Sequence, residues 1–448
     1  MLLALTLSAC ASSAVTPANG GASGSATAPP TMLGARPGDA DGVILAVLEN
    51  IQANGFNANP SLNGGLGGLY INWRYGTQPL QTDFNGSGET DDASGASPRH
   101  DRLTDLRYLH VLLLYRHLHT GDTRFDGEIA RYTAIVKAEF AGARDERGWL
   151  YDELVDLYRL SGDAFFQETA RGLADYYATS LYHPASGAVY KVSSDQPNGY
   201  YRVDLALEVG AALAQAGTTF ARPDWVADGK QVIAFVYAHA YVPAYHAFME
   251  QMSNVLAPDG TPNAVETIER GLYGHTHIEG GGVRMGEVAQ IILSLLHAYM
   301  TTHDRAYLDD ATSLIDPLTA RANTLGLWDS ANLGYFAAAV FPGTDVAHVG
   351  TPKAQTTVKE SGRQLQMLEA FSVANLLTNN RYQDMQDALA QVAARRAYFA
   401  SGHGYLYQMT SDWRVVPLKN GQPQDWVTTE AMGIALEGLL AAQDPAPW

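Results

Sequence analysis

Twelve stretches with apolar residues at three- and four-residue spacing succeed one another from Asp39 onward in this 448-residue chain, and the connections between them alternate in kind. The stretches predict helices over 40–54, 101–119, 123–142, 148–161, 163–182, 200–217, 223–240, 285–302, 304–322, 360–379, 381–399 and 426–443. After the second, fourth, eighth and tenth the chain reverses within a few residues, at "HTGDTRF", "LSGDAFF", "TTHDRAY" and "TNNRYQD"; "QAGTTFARPDW" after the sixth is slightly longer. Each reversal runs from a small or polar residue to an aromatic one and then into an Ala-rich helix, a degenerate internal repeat. The other connections are long and rich in Gly, aromatic and charged residues. They hold only short strand-like pieces such as "GLYINWRY" and "GYLYQM".

The even-numbered helices carry the more continuous apolar runs, "YLHVLLLY" and "VAQIILSLLHAY" among them. A helix apolar most of the way round belongs inside. Six inner helices ringed by six amphipathic outer ones leave tight turns on one face and elaborated loops on the other. The fold class expected is therefore all-α: an (α/α)6 toroid of six helical hairpins with short β pieces in the long loops. This order of helices and loops resembles the six-hairpin α/α-toroid glycosidase superfamily, with its related polysaccharide lyases and sugar epimerases, at the level of architecture over residues 39–445. The resemblance implies a cleft where the long loops gather at the N-terminal ends of the inner helices, and an enzyme acting on an oligo- or polysaccharide. Fold alone does not fix the chemistry.

Composition narrows the alternatives. With 46% hydrophobic and 17% charged residues the chain is globular, and a net charge of −18 with 29 Lys plus Arg argues against a nucleic-acid partner or an anionic membrane surface. No Gly-x-Gly-x-x-Gly after a strand, no phosphate loop and no Gly-x-Ser-x-Gly elbow occurs, and no cofactor is expected. The single cysteine, Cys10, excludes intrachain disulfides and a Cys-based metal site. It ends "MLLALTLSAC", which resembles a bacterial lipoprotein signal without the basic n-region, and the tether-like "ASSAVTPANGGASGSATAPP" follows. The expected organisation is a signal peptide over 1–9, a disordered tether over 10–38 behind a lipidated Cys10, and a catalytic toroid over 39–448. The product is expected to be a monomeric, exported lipoprotein, anchored at the cell surface or in the periplasm.

The ionisable clusters sit where the inner helices open. "SGETDDASGASPRHDRLTDLRYLH" leads into the second helix with Asp91, Asp92, His100, Asp101 and Arg102. Trp149 and Asp152 open the fourth, Tyr201 and Arg202 the sixth, His275, His277 and Arg284 the eighth, Glu360 and Arg363 the tenth, and Trp426 the twelfth. Glycoside hydrolysis needs one protonated and one ionised carboxyl group beside the scissile bond. A helix N-terminus stabilises the ionised one, and burial or a like charge keeps the other protonated. Asp92, Asp101, Asp152 and Glu360 are the catalytic candidates; any one of them also suits an ordinary helix cap. Arg102, Arg202, Arg284 and Arg363 suit an anionic sugar or neutralise neighbouring acids. In "GLYGHTHIEGGGVRMGE", His275 and His277 fit a Gly-hinged cavity loop better than a metal site, which lacks a third ligand at a recognised spacing. With Tyr201 and Arg284 they also fit a lyase that abstracts a proton beside a uronate carboxyl. A surface glycan-binding protein without catalysis is the remaining alternative.

Overall fold

The computed structural model describes residues 40–75, 100–189, 200–249, 251–253, 272–273, 276–277, 281–341, 349–417 and 423–445; at 200–202, 251–253, 272–273, 276–277 and 281–282 it describes the backbone alone. The signal and tether with Cys10, and the candidates Asp91, Asp92 and His275, lie outside the described residues. Tyr201, Arg202 and His277 are placed by backbone only, in short antiparallel strand pairs.

Among the described residues are twelve α-helices: α1 Ala40–Asn50, α2 Arg102–Leu118, α3 Asp126–Phe140, α4 Trp149–Ser161, α5 Ala164–Tyr176, α6 Val203–Thr219, α7 Pro223–Ala240, α8 Met285–Thr302, α9 Arg305–Ile315, α10 Gln366–Thr378, α11 Gln383–Val392 and α12 Thr429–Gln443. The even-numbered helices form a closed inner ring, α2 beside α4, then α6, α8, α10 and α12, which returns to α2. Each of α2, α4, α6, α8 and α10 also packs on the outer helix that follows it, and α1 covers α12. This is an all-α toroid. None of the described helices is long and apolar enough to cross a membrane.

The tight turns have a common physical cause. Gly162 and His303 adopt left-handed backbone conformations at the ends of α4 and α8 (φ 70° and 57°). The next residue, Asp163 or Asp304, accepts the backbone N–H two residues on and so caps the following helix. At the end of α10 the left-handed pair is Asn379 and Asn380. Reversal, stop and restart therefore take two residues after α4 and α8 and four after α10.

Several helix ends differ from the periodicity. Helices α1, α5 and α11 end early because their last apolar turn winds as a π-turn, over Ile51–Gly55, Tyr177–Leu181 and Ala393–Ala397. Each π-turn delivers the chain into a two-residue antiparallel hairpin. Helix α9 stops at Ile315 and tightens to a 3₁₀ turn holding Pro317, which cannot continue the hydrogen-bond ladder. Helices α6, α10 and α12 start late because Tyr200–Arg202, Val358–Glu360 and Val427–Thr428 pair as strands with Gln251–Ser253, Gln408–Thr410 and Asn72–Trp73. These pairs stitch the long loops together over the N-terminal ends of the inner ring.

Helices α6 and α7 approach each other closely at a pair of glycines. A Cβ on Gly229 would lie 2.4 Å from the Gly210 carbonyl oxygen and 2.7 Å from the Ala214 nitrogen, both backbone atoms that no rotamer change can move. Gly229→Ala is expected to force the helices apart and to destabilise the protein by about 1–3 kcal/mol, read as a lower denaturant midpoint. An exposed control, Gly172→Ala, meets nothing within 4 Å and should not lower it.

Candidate active site

The rim of the toroid is built at the starts of α2, α4, α10 and α12. Asp101 caps α2 by accepting from the Leu103 N–H at 3.0 Å. Arg102 reaches across to Asp145 at 2.6 Å and lies over the Phe140 ring. Asp145 also holds Arg147 at 3.1 Å, and both arginines remain about one-third exposed (35% and 36%). Trp149 opens α4, partly exposed, with the Arg107 guanidinium 4.7 Å from its ring centroid. Arg363 donates to Glu430 at 2.7 Å, and about a quarter of each side chain is open. Arg284 and Glu360 form a fully buried pair at 2.7 Å, with Glu287 3.8 Å away. Trp426 is buried, with Arg74 stacked on it and tied to Asp425. His100 turns to Glu139 of the outer helix α3 and to Asp105, rather than to the toroid axis.

Glycine admits two of these arginines. A Cβ on Gly433 of α12 would lie 2.8 Å from Arg107 Cδ, and one on Gly286 of α8 would lie 3.0 Å from Arg363 Cδ. Each guanidinium from one inner helix passes through the gap left by a glycine on its neighbour.

Below the rim, a stripe of titratable groups lines the axis. Arg107 Nε lies 2.8 Å from Glu437 Oε2, and His110 Nδ1 lies 2.7 Å from Glu153 Oε2 and 3.3 Å from Glu437 Oε1. Asp152 accepts from Gln215 Nε2 at 2.8 Å and sits 3.5 Å from His297 Nδ1. A cavity of about 20 Å³, the volume of about one water, is bounded by His110, Trp149, Asp152, Glu153, Asp156 and His297, with Glu369 and Glu437 also on its wall. A smaller void of about 10 Å³ shares Asp152, Asp156 and His297 with it and reaches Arg159, whose side chain is half exposed toward the tight-turn face.

Burial divides the protonation of these acids. It raises Glu153, Glu369 and Glu437 alike, but His110 and then Arg107 outweigh it at Glu153 and hold that carboxyl below its ordinary value. At Glu369 burial acts with the neighbouring Glu437 and Glu153, and the carboxyl is pushed up to about 8. Glu437 lies between them at about 6, lifted by burial and lowered by Arg107. Burial lowers His297, yet the bond to Asp152 outweighs it and carries the imidazole to about 8. At neutral pH one wall thus presents an ionised carboxylate and another a neutral carboxylic acid.

Of the catalytic candidates, the structure brings Asp152 to the cavity and leaves Asp101 and Glu360 at the rim, holding a helix cap and Arg284. Trp149, Arg102 and Arg363 gather at the mouth. Sequence reasoning passed over Arg107, His110, Glu153, Asp156, Gln215, His297, Glu369 and Glu437. Their signal was present: polar residues at three-, four- or seven-residue steps within apolar helices, as in Arg107/His110, Asp152/Asp156 and Glu430/Glu437.

These protonation states predict a pH dependence of stability. The unfolded Glu369 releases its proton near its ordinary 4.5 and the folded one near 8, so between those values the native state holds the extra proton. Stability therefore falls as pH rises through that window, by on the order of 1 kcal/mol per pH unit, and levels off above it. His297, raised from 6.5 to about 8, adds to the fall in the upper part. Glu369→Gln is expected to flatten the decline, read from denaturant midpoints at about pH 5.5, 7 and 8.5; an unchanged slope contradicts the assignment.

No protein-family model matches the chain, and no curated protein does. Solved structures share its fold. An unsaturated glucuronyl hydrolase specific for heparin superposes with a TM-score of 0.61 at 14% identity, covering 91% of this chain and 97% of that one. A doubly substituted inactive α-1,6-mannanase of Salegentibacter sp. HEL1_6, in complex with α-1,6-mannotriose, gives 0.56 at 13% identity, covering 90% and 99%. A D-mannose isomerase gives 0.57 at 12% identity, covering 92% and 100%. At these identities the likeness is one of fold: the chain is an α/α toroid of the kind that sugar-acting enzymes use.

Proposed function

We propose that the chain is a glycoside hydrolase whose substrate enters at the long-loop mouth and stacks on Trp149. The observation that carries this reading is the acid-lined cavity beneath that ring, where Asp152 shares the wall with Glu153, held ionised, and Glu369, held neutral. Hydrolysis of a glycosidic bond uses one carboxyl in each state. Asp152, in the first turn of α4 with its charge held by Gln215 and His297, is the described residue proposed to act as base or nucleophile. Asp92 is proposed as its partner, with Asp101 and Glu360 as rim alternatives. Arg102 and Arg147, each about one-third exposed at the rim, would receive an anionic substituent. The mannanase neighbour is inactive with two adjacent aspartates replaced, and adjacent acidic pairs occur in this sequence ahead of or within the first turn of inner helices, Asp91–Asp92, Asp145–Glu146 and Asp152–Glu153. Export and anchoring through Cys10 belong to the same proposal.

A second reading, sugar isomerisation or β-elimination by proton transfer, draws support from His110 and His297, whose imidazoles line the same cavity. The two chemistries leave different products. A glycan panel incubated with the full chain is expected to yield new reducing ends without near-ultraviolet absorbance. Asp92→Asn or Asp152→Asn is expected to lower kcat by about 10²–10⁴-fold with the fold intact by circular dichroism. Absorbance from a new C=C bond, or activity surviving both exchanges, would sink the hydrolase reading.

A further inference from the structure

A second cluster lies away from the axis, between the start of α2 and the end of α3. His100 Nε2 is 2.7 Å from Glu139 Oε1 and 3.3 Å from Asp105 Oδ2, and one ligand atom from each of the three side chains falls within 4.8 Å of the other two. The two carboxylates are 0% and 3% exposed. One oxygen of each, Asp105 Oδ2 and Glu139 Oε2, is buried without a hydrogen-bond partner. Two buried acids this close share either a proton or a cation, and His100 alone among charged groups stands between them in the described residues.

The surroundings are those of a built site. His100 Nδ1 lies 3.1 Å from the Leu69 carbonyl oxygen, a contact that holds Nδ1 as the N–H and leaves Nε2 as the lone-pair nitrogen once the ring is neutral. Asp105 Oδ1 accepts the Leu69 N–H at 2.8 Å, and Asn63 donates to Glu139 Oε1 at 2.6 Å, so one oxygen of each carboxylate is held by a neighbouring N–H. Gly68 closes over the cluster: a Cβ there would lie 2.4 Å from His100 Cε1 and 2.8 Å from Asp105 Oδ2. The other His/Glu/Glu group, His110–Glu153–Glu437, already has the Arg107 guanidinium on it. Among the described residues no Lys or Arg is paired with His100, Asp105 or Glu139.

We propose that His100, Asp105 and Glu139 bind one divalent transition-metal ion of the Zn²⁺ type, clamping the start of α2 to the end of α3. One imidazole and two carboxylates are a donor set such ions accept; bonds of about 2.0–2.2 Å set tetrahedral donors about 3.3 Å apart, which is the present His100–Asp105 spacing, while His100 and Glu139 at 2.7 Å would have to part slightly. The ion would take the place of protons now shared within the cluster. It lies outside the toroid axis and its role is structural, so it stands or falls independently of the hydrolase reading.

The test is calorimetric titration of ZnCl₂ into chelator-treated full-length protein near pH 7.5, with elemental analysis after desalting and thermal melts in parallel. The expected result is one Zn²⁺ per chain and a raised Tm, with affinity about tenfold or more lower in His100→Ala and in the near-isosteric Glu139→Gln. Absence of stoichiometric binding by the unaltered chain would overturn the proposal whether or not the variants fold. So would equal binding by both variants, or a preference for Ca²⁺ over Zn²⁺.

Discussion

Everything in this toroid depends on how the Arg107 guanidinium and the His110 imidazole meet Glu153 and Glu437 on the axis. A ring of six buried helices would ordinarily close on an apolar centre. Here it closes on charge, and an uncompensated buried carboxylate costs several kcal/mol. Arg107 and His110 sit three residues apart on one face of α2, so one helix supplies both cations to acids on α4 and α12. Removal of one member would leave the buried charges out of balance, which makes the set a condition of the fold as well as a property of the site.

The ring is shaped to accept these groups. Gly433 and Gly286 leave the space through which Arg107 and Arg363 pass, and a methyl group at either position would meet the arginine stem. The division of labour between faces follows from the same geometry. Tight turns made of a left-handed residue and an Asp cap hold one end of the helices in register. The other end is free to carry long loops stitched by strands of two to four residues. Loops on a rigid scaffold are where binding groups accumulate, and Trp149, Arg102, Arg147 and the Arg363–Glu430 pair gather on that side.

The fold was largely legible in the sequence, because each tight turn writes its own signature. Gly162–Asp163 and His303–Asp304 are stop-and-start pairs readable without coordinates, and the twelve helices fall where the periodicity puts them. The ends that differ do so for reasons periodicity cannot carry: π-turns keep the apolar pattern while changing the winding, and strand pairing claims Glu360 and Val427–Thr428 from the helices expected over 360–379 and 426–443. The site was legible only at its rim. Asp152 and Trp149 stand at a helix start, where a charge or an indole draws notice. His110 sits inside "YLHVLLLY" and reads as core, and its partner Glu437 lies 327 residues away in the chain. The protonation of Glu369 depends on Glu437 and Glu153 from two other helices, and no local pattern encodes that.

The central claim is that the mouth above this charged axis is where a sugar binds. A crystal structure of the full chain soaked with the oligosaccharide it turns over tests it most directly. The account predicts a sugar ring stacked on Trp149, with its scissile position above the cavity bounded by Asp152 and Glu153. A saccharide seated instead at the tight-turn face or against the outer helices, with the Trp149 mouth unoccupied, would contradict it.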